Sequence, residues 1–135
     1  MPSVSWIVDG LHIFGGIDTV SSRVGDRAKR PWGSLELLCA GRDHVVARLH
    51  VRAMQRTSLQ RHRHRAESWV VVSGRGYFWY GSRRHGVTVG DVMHIPRGQI
   101  HRIEAHQDTD LVLVEVQTGD CREEDVQRLE DDYHR

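Results

Sequence analysis

Between Ser34 and Gln117 the chain keeps returning to one pattern: a short run of β-branched, aromatic and aliphatic residues, then a cluster of turn formers. The runs SLELLCA, VVARLHV, SLQRHRH, SWVVVS, GYFWYG, VTVG, DVMHIP, IHRIEA and DLVLVEVQ are separated by AGRD, SGRG, GSRR, PRGQ and HQDTD. Such runs favour strands, and the punctuating residues favour tight reversals. Many short strands at this spacing predict an all-β antiparallel barrel or sandwich. Residues 1–29, with several glycines in VDGLHIFGG, read as an N-terminal arm of one or two short strands and a loop. The tail CREEDVQRLEDDYHR has Val126 and Leu129 three apart, so a short C-terminal helix is predicted there.

One run carries an unusual load. In SLQRHRHRAESWVVVSG, Gln60, His62 and His64 occupy even positions, while Arg61, Arg63 and Arg65 occupy odd ones. Side chains of a strand alternate between its faces, so one face would carry hydrogen-bonding or metal-ligating groups and the other arginine. Imidazoles and a carboxylate inside a barrel are costly unless paired or coordinated. Imidazole nitrogens and carboxylate oxygens make a mixed donor set suited to Zn²⁺, Fe²⁺ or Mn²⁺. Residues two apart on one face lie about 7 Å apart, which puts Gln60 and His64 about 13 Å from each other across His62. Both cannot join His62 on one small ion, so its companion in this run is Gln60 or His64.

The rest of the composition narrows the class. A length of 135 residues fits one domain, and 39% hydrophobic with 27% charged residues is ordinary for a globular chain. A formal net charge of +1 gives no global field toward nucleic acid or a membrane surface. Lys29 is the sole lysine, so arginine supplies nearly all the positive charge. Cys39 and Cys121 stand apart, without the spacing of a disulfide framework or a cysteine zinc site. The absence of a long apolar run and of a leader pattern predicts a cytoplasmic protein.

The spacing of Gly90, Pro96, Gly98 and His101, and the six residues between Glu67 and Gly74, resemble the two motifs of the cupins. Ala105 stands where those motifs usually have asparagine, and Met54 falls where the first glycine sits. The blocks RPWGS, SLQRHRHRAESWVVVSG, IPRGQIHRIE, VEVQTGD and EEDVQRLEDDYHR, in that order, are similar to the cupin domain of type II phosphomannose isomerases over residues 30–135. The resemblance implies a jelly-roll barrel from residue 30 onward. It also implies a metal held by Gln60, His62, Glu67 and His101, zinc being expected because the family chemistry is redox-neutral. His64 is then a proton-transfer group near the mouth, and Arg65 and Arg102 are candidates to grip an anionic substrate.

The activity so implied is isomerisation of a sugar phosphate, and a homodimer acting on a small molecule is expected. The domain is also similar to the zinc cupins of hydrazine synthetases, which rearrange an amino-acid ester made by a methionyl-tRNA-synthetase-like partner protein. A non-catalytic sugar-binding cupin and an iron dioxygenase are further alternatives. Trp69, Tyr77, Phe78, Trp79 and Tyr80 are expected in the core and wall. The acidic residues of the tail are expected on a solvated face, or against Arg61 and Arg63.

Overall fold

In the computed structural model, the described residues are 4–8, 11–15, 24–121 and 125–135, the first two stretches as backbone only. Strands β1 (Val4–Val8) and β2 (Leu11–Gly15) form an antiparallel pair. The rest is a single antiparallel sheet curled on itself: β3 (Arg27–Arg30), β4 (Gly33–Ala40), β5 (His44–Val51), β6 (Leu59–Arg61), β7 (Arg65–Tyr80), β8 (Arg83–Thr88), β9 (Val92–Ile95), β10 (His101–Ala105), β11 (Leu111–Gly119) and β12 (Gln127–Glu130). The order is β12-β6-β10-β7-β11-β5-β4-β3, with β8 and β9 also paired to β7. Sheet pairing on this body begins at Arg27, where β3 meets Glu36 of β4. The described residues contain no helix, and none long and apolar enough to cross a membrane.

Alternation builds the barrel. On β5, Val45, Ala47, Leu49 and Val51 are buried while Arg48 is exposed, and on β11 Leu111, Leu113, Glu115 and Gln117 all point inward. The interior gathers Trp32, Leu35, Leu37, Trp69, Val71, Phe78, Ile95 and Ile103 with them. Of the aromatic group expected inside, Trp69 and Phe78 are buried and Tyr80 is exposed.

Three departures from the sequence reading have physical causes. SWVVVS and GYFWYG are one strand, not two. Gly74 has φ +78 and a Cβ there would meet the Asp110 carbonyl oxygen, so SGRG bends β7 without reversing it. Residues up to Ser73 pair with β11 and β9, and Arg75 onward with β8 and β10, so β7 carries both leaves of the roll.

The tail forms β12, not a helix. β6 has one free edge, and Gln127 and Arg128 pair there with Arg61 and Gln60. Two apolar residues are too few to hold a helix against that backbone pairing. Acidic residues of the tail pair with arginines other than the expected Arg61 and Arg63, Glu130 with Arg102 and Asp132 with Arg56, while Glu123 and Glu124 lie outside the described residues.

Finally, β6 stops at Arg61, and Arg63 and His64 form a bend. The shared face predicted for Gln60, His62 and His64 therefore ends at His62. Met54 has φ +69, a conformation that favours glycine; its side chain is exposed, so the strain is confined to the backbone.

Candidate metal centre

Three strands deliver the central residues. His62 follows β6, Glu67 lies on the inward row of β7, and His101 opens β10 directly opposite Gln60 of β6. Their relative exposures are 2%, 1% and 0%. One ligand atom from each lies within 4.8 Å of the others, with His62 Nε2 at 3.0 Å from Glu67 Oε1 and His101 Nε2 at 3.6 Å from Glu67 Oε2.

Backbone carbonyls fix both imidazoles. His62 Nδ1 donates to the Asp125 carbonyl at 2.8 Å, and His101 Nδ1 donates to that of Gln99 at 2.8 Å. With the proton held on Nδ1, each Nε2 turns a lone pair toward Glu67. His101 Nε2 is buried and has no hydrogen-bond partner. A buried acceptor left unmatched is costly, and two acceptors facing a carboxylate need a positive charge among them. A proton on His62 is one answer, and a divalent cation satisfies all three groups at once. The donor set of two imidazoles and a carboxylate fits such an ion.

The surrounding groups tune Glu67. Burial pushes its carboxyl up, but the charges of His62 and Arg65 hold it well below the usual carboxylate range. Arg65 is buried, with Nε donating to Glu67 Oε1 at 3.0 Å and Nη2 3.5 Å from His62 Nε2. Its guanidinium is thus engaged with the carboxylate that faces the histidines.

The Trp69 indole N–H is shared by Glu67 Oε2 at 3.1 Å and Glu115 Oε2 at 3.0 Å. Gln117 Nε2 donates to the other oxygen of Glu115. Burial above all, and then the charge of Glu67, raises the Glu115 carboxyl to about 7. Glu115 and Gln117 were missed from sequence, although their odd positions in DLVLVEVQ place them in one row with Leu111 and Leu113.

The remaining candidates lie at different distances from this centre. Gln60 is half-buried in the row of His62, and its Oε1 accepts from Ser58 Oγ at 3.3 Å. His64 is exposed on the bend, and its backbone N–H donates to Asp125 Oδ2. Arg102 is buried outside the cluster, donating to the Thr57 carbonyl at 2.9 Å and to Glu130 at 3.3 Å. A cleft of about 620 Å³ opens over His62, walled by Arg61, Arg63, His64, Arg97 and Asp125.

Comparison with known proteins agrees with this architecture. Residues 18–131 match the family described as mannose-6-phosphate isomerase C-terminal. The alginate biosynthesis protein AlgA of Pseudomonas aeruginosa is 37% identical over 107 residues, which is 78% of this chain and 22% of AlgA. The mannose-1-phosphate guanylyltransferase ManC of Salmonella typhimurium is 37% identical over the same share of each chain. The chain thus spans about a fifth of the length of these curated relatives. Among solved structures, the capsular polysaccharide assembling protein CapF of Staphylococcus aureus superposes with a TM-score of 0.68 at 23% identity, over 78% of this chain and 34% of that one. A cupin-2 domain from Rhodospirillum rubrum gives 0.59 at 23% identity, over 63% and 58%. With its curled antiparallel sheet and its match along most of the chain, this protein belongs to the cupins of the mannose-6-phosphate isomerase C-terminal family.

Proposed function

We propose that the protein is a metal-dependent cupin enzyme that isomerises a sugar phosphate between aldose and ketose forms. The observation that carries this reading is the buried His62, Glu67 and His101 cluster, its Nε2 atoms turned toward the carboxylate, with a cleft bordering it at His62. The relatives named for mannose-1-phosphate and alginate biosynthesis support a sugar-phosphate substrate.

His62, Glu67 and His101 would hold the ion, with Gln60 as fourth donor, and zinc suits the mixed nitrogen and oxygen set. When bound, such an ion supplies Lewis acidity toward a carbonyl or hydroxyl oxygen. The chain's own groups do the rest. The Asp125 and Gln99 carbonyls keep each imidazole in one tautomer. Arg65 offsets the charge of Glu67, and Trp69 orients it. His64, exposed on the cleft wall, is the group we assign to carry a proton between neighbouring substrate carbons. Trp69 and Phe78, packed edge to face at 5.7 Å, keep bulk water from the inner side.

The test is interconversion of fructose 6-phosphate and mannose 6-phosphate by protein loaded with zinc, alongside elemental analysis. About one metal per chain and turnover in wild type are expected, with both lost in His62→Ala and His101→Ala. Full metal occupancy in both variants would sink the site. Turnover that survives complete chelation would sink the mechanism. Oxygen consumption by an iron-loaded sample would mark a dioxygenase.

A further inference from the structure

We infer that Arg63 and Arg97 form a phosphate-binding subsite in the cleft above His62. The inference rests on the sugar-phosphate reading for the identity of the substrate, but its chemistry is carried by the cleft alone.

Among the described residues, three arginines, Arg61, Arg63 and Arg97, and one carboxylate, that of Asp125, line the cleft. The carboxylate is already committed: Oδ1 accepts the Arg63 backbone N–H at 2.7 Å, and Oδ2 accepts that of His64 at 2.6 Å. Arg61 is committed as well, its Nε donating to Gln127 Oε1 at 2.6 Å. Arg63 and Arg97 are left. Neither guanidinium has a hydrogen-bond or ion-pair partner among the described residues, and both side chains are exposed on the cleft wall.

Several arginines elsewhere on the body are tied down by carboxylates, although Arg83 on β8 has no such partner among the described residues. Arg48 meets Glu36 at 2.9 Å, Arg56 meets Asp132 at 2.6 Å, Arg65 meets Glu67 and Arg135 meets Asp131. A lone solvated arginine is ordinary. Two that face one cleft, beside an exposed histidine and over a buried metal-ligating one, make a concentrated positive field with forked donors to spare.

The backbone holds these groups in place. The Gly98 N–H donates to the His62 carbonyl at 2.7 Å, tying the loop that bears Arg97 to the bend that bears Arg63. Gly119 keeps Arg97 close to the end of β11: a Cβ at that position would lie 2.9 Å from Arg97 Nη2. A dianionic phosphoryl group, with three terminal oxygens, matches two planar forks better than a carboxylate would. The phosphate end would then sit outermost and the reacting carbons nearer His62. Arg65 is engaged with Glu67, so the anion grip is assigned to Arg63 and Arg97 instead.

Titration of inorganic phosphate into zinc-loaded protein by calorimetry tests the subsite without any turnover. Saturable binding that weakens with added salt is expected. Arg63→Gln and Arg97→Gln should each weaken it about tenfold or more, the range for a lost charged hydrogen bond. Arg83→Gln, on β8 and outside the cleft, should leave it unchanged. Metal content should stay at about one per chain in all these variants, because no ligand is altered. Absence of saturable binding in wild type overturns the subsite. So does wild-type affinity in either cleft variant, which would put the phosphate on the metal itself. Loss of phosphate binding in both variants, with no isomerase turnover even in wild type, would keep the subsite and discard the proposed reaction.

Discussion

The inward row of β11 is two different materials. Leu111 and Leu113 lie in the apolar end of the barrel, beside Val51, Leu49 and Val71 across the sheet, whereas Glu115 and Gln117 face Trp69 and Glu67. The same change runs along β7, from Arg65 and Glu67 through Trp69 to Val71. One end is held by burial of hydrocarbon, which is non-directional. The other is held by hydrogen bonds and charge, where each partner depends on the next. The chain thus keeps its stability and its chemistry in the two ends of a single barrel, and Trp69 is the border between them, apolar in its rings and bonded at its N–H.

The largest effect should come from the apolar end. Leu113→Ala should cost about 3 kcal/mol of stability, as a fully buried leucine leaves a cavity. Metal content should not change. Urea denaturation with elemental analysis checks both, and loss of metal in that variant would mean the two ends are not separable.

In metal-free protein the polar end should make stability depend on pH. The Glu115 carboxyl is raised from 4.5 to about 7, so its folded form binds the proton more tightly than its unfolded form. Its contribution is therefore complete below about pH 4.5 and lost as pH rises through 7, up to about 3 kcal/mol. Glu67, held low, acts oppositely and is lost only in stronger acid. Denaturation midpoints between pH 5 and 8 should fall with rising pH in wild type and less steeply in Glu115→Gln. Equal slopes would remove Glu115 from the polar end's control.

The smallest effect sharpens the boundary of the site. Gln60→Ala should weaken zinc binding on the order of tenfold, while His64→Ala should keep the metal and lower turnover. Competition with a chromophoric chelator reads the first and the isomerase assay the second. The opposite pattern would make His64 the fourth donor.

Strands could be read from alternation because it is local: VVARLHV and DLVLVEVQ show their buried rows in their own letters. The cluster of His62, Glu67 and His101 could be read because polar groups in such rows are rare and their spacing resembled a known family. What could not be read depends on distant partners. SGRG looks like a reversal, and only Asp110 and β11 on the other side make it a bend within β7. The helical reading of the tail ignored the open edge of β6, which lies some sixty residues earlier in the chain. The bend at Arg63 and His64 depends on Asp125, equally distant. Arg97 had no pattern of its own, and its place in the cleft follows from the fold alone.

The bond from His62 to the Asp125 carbonyl also sets an order of events. A chain is made from its N-terminus, so His62 and Glu67 are synthesised well before Asp125. Until the segment from Asp125 to Glu130 arrives, β6 has one neighbour only, and the proton on His62 is free to sit on either nitrogen. A nascent barrel that already has His62 and Glu67 thus does not yet have the cluster's final geometry.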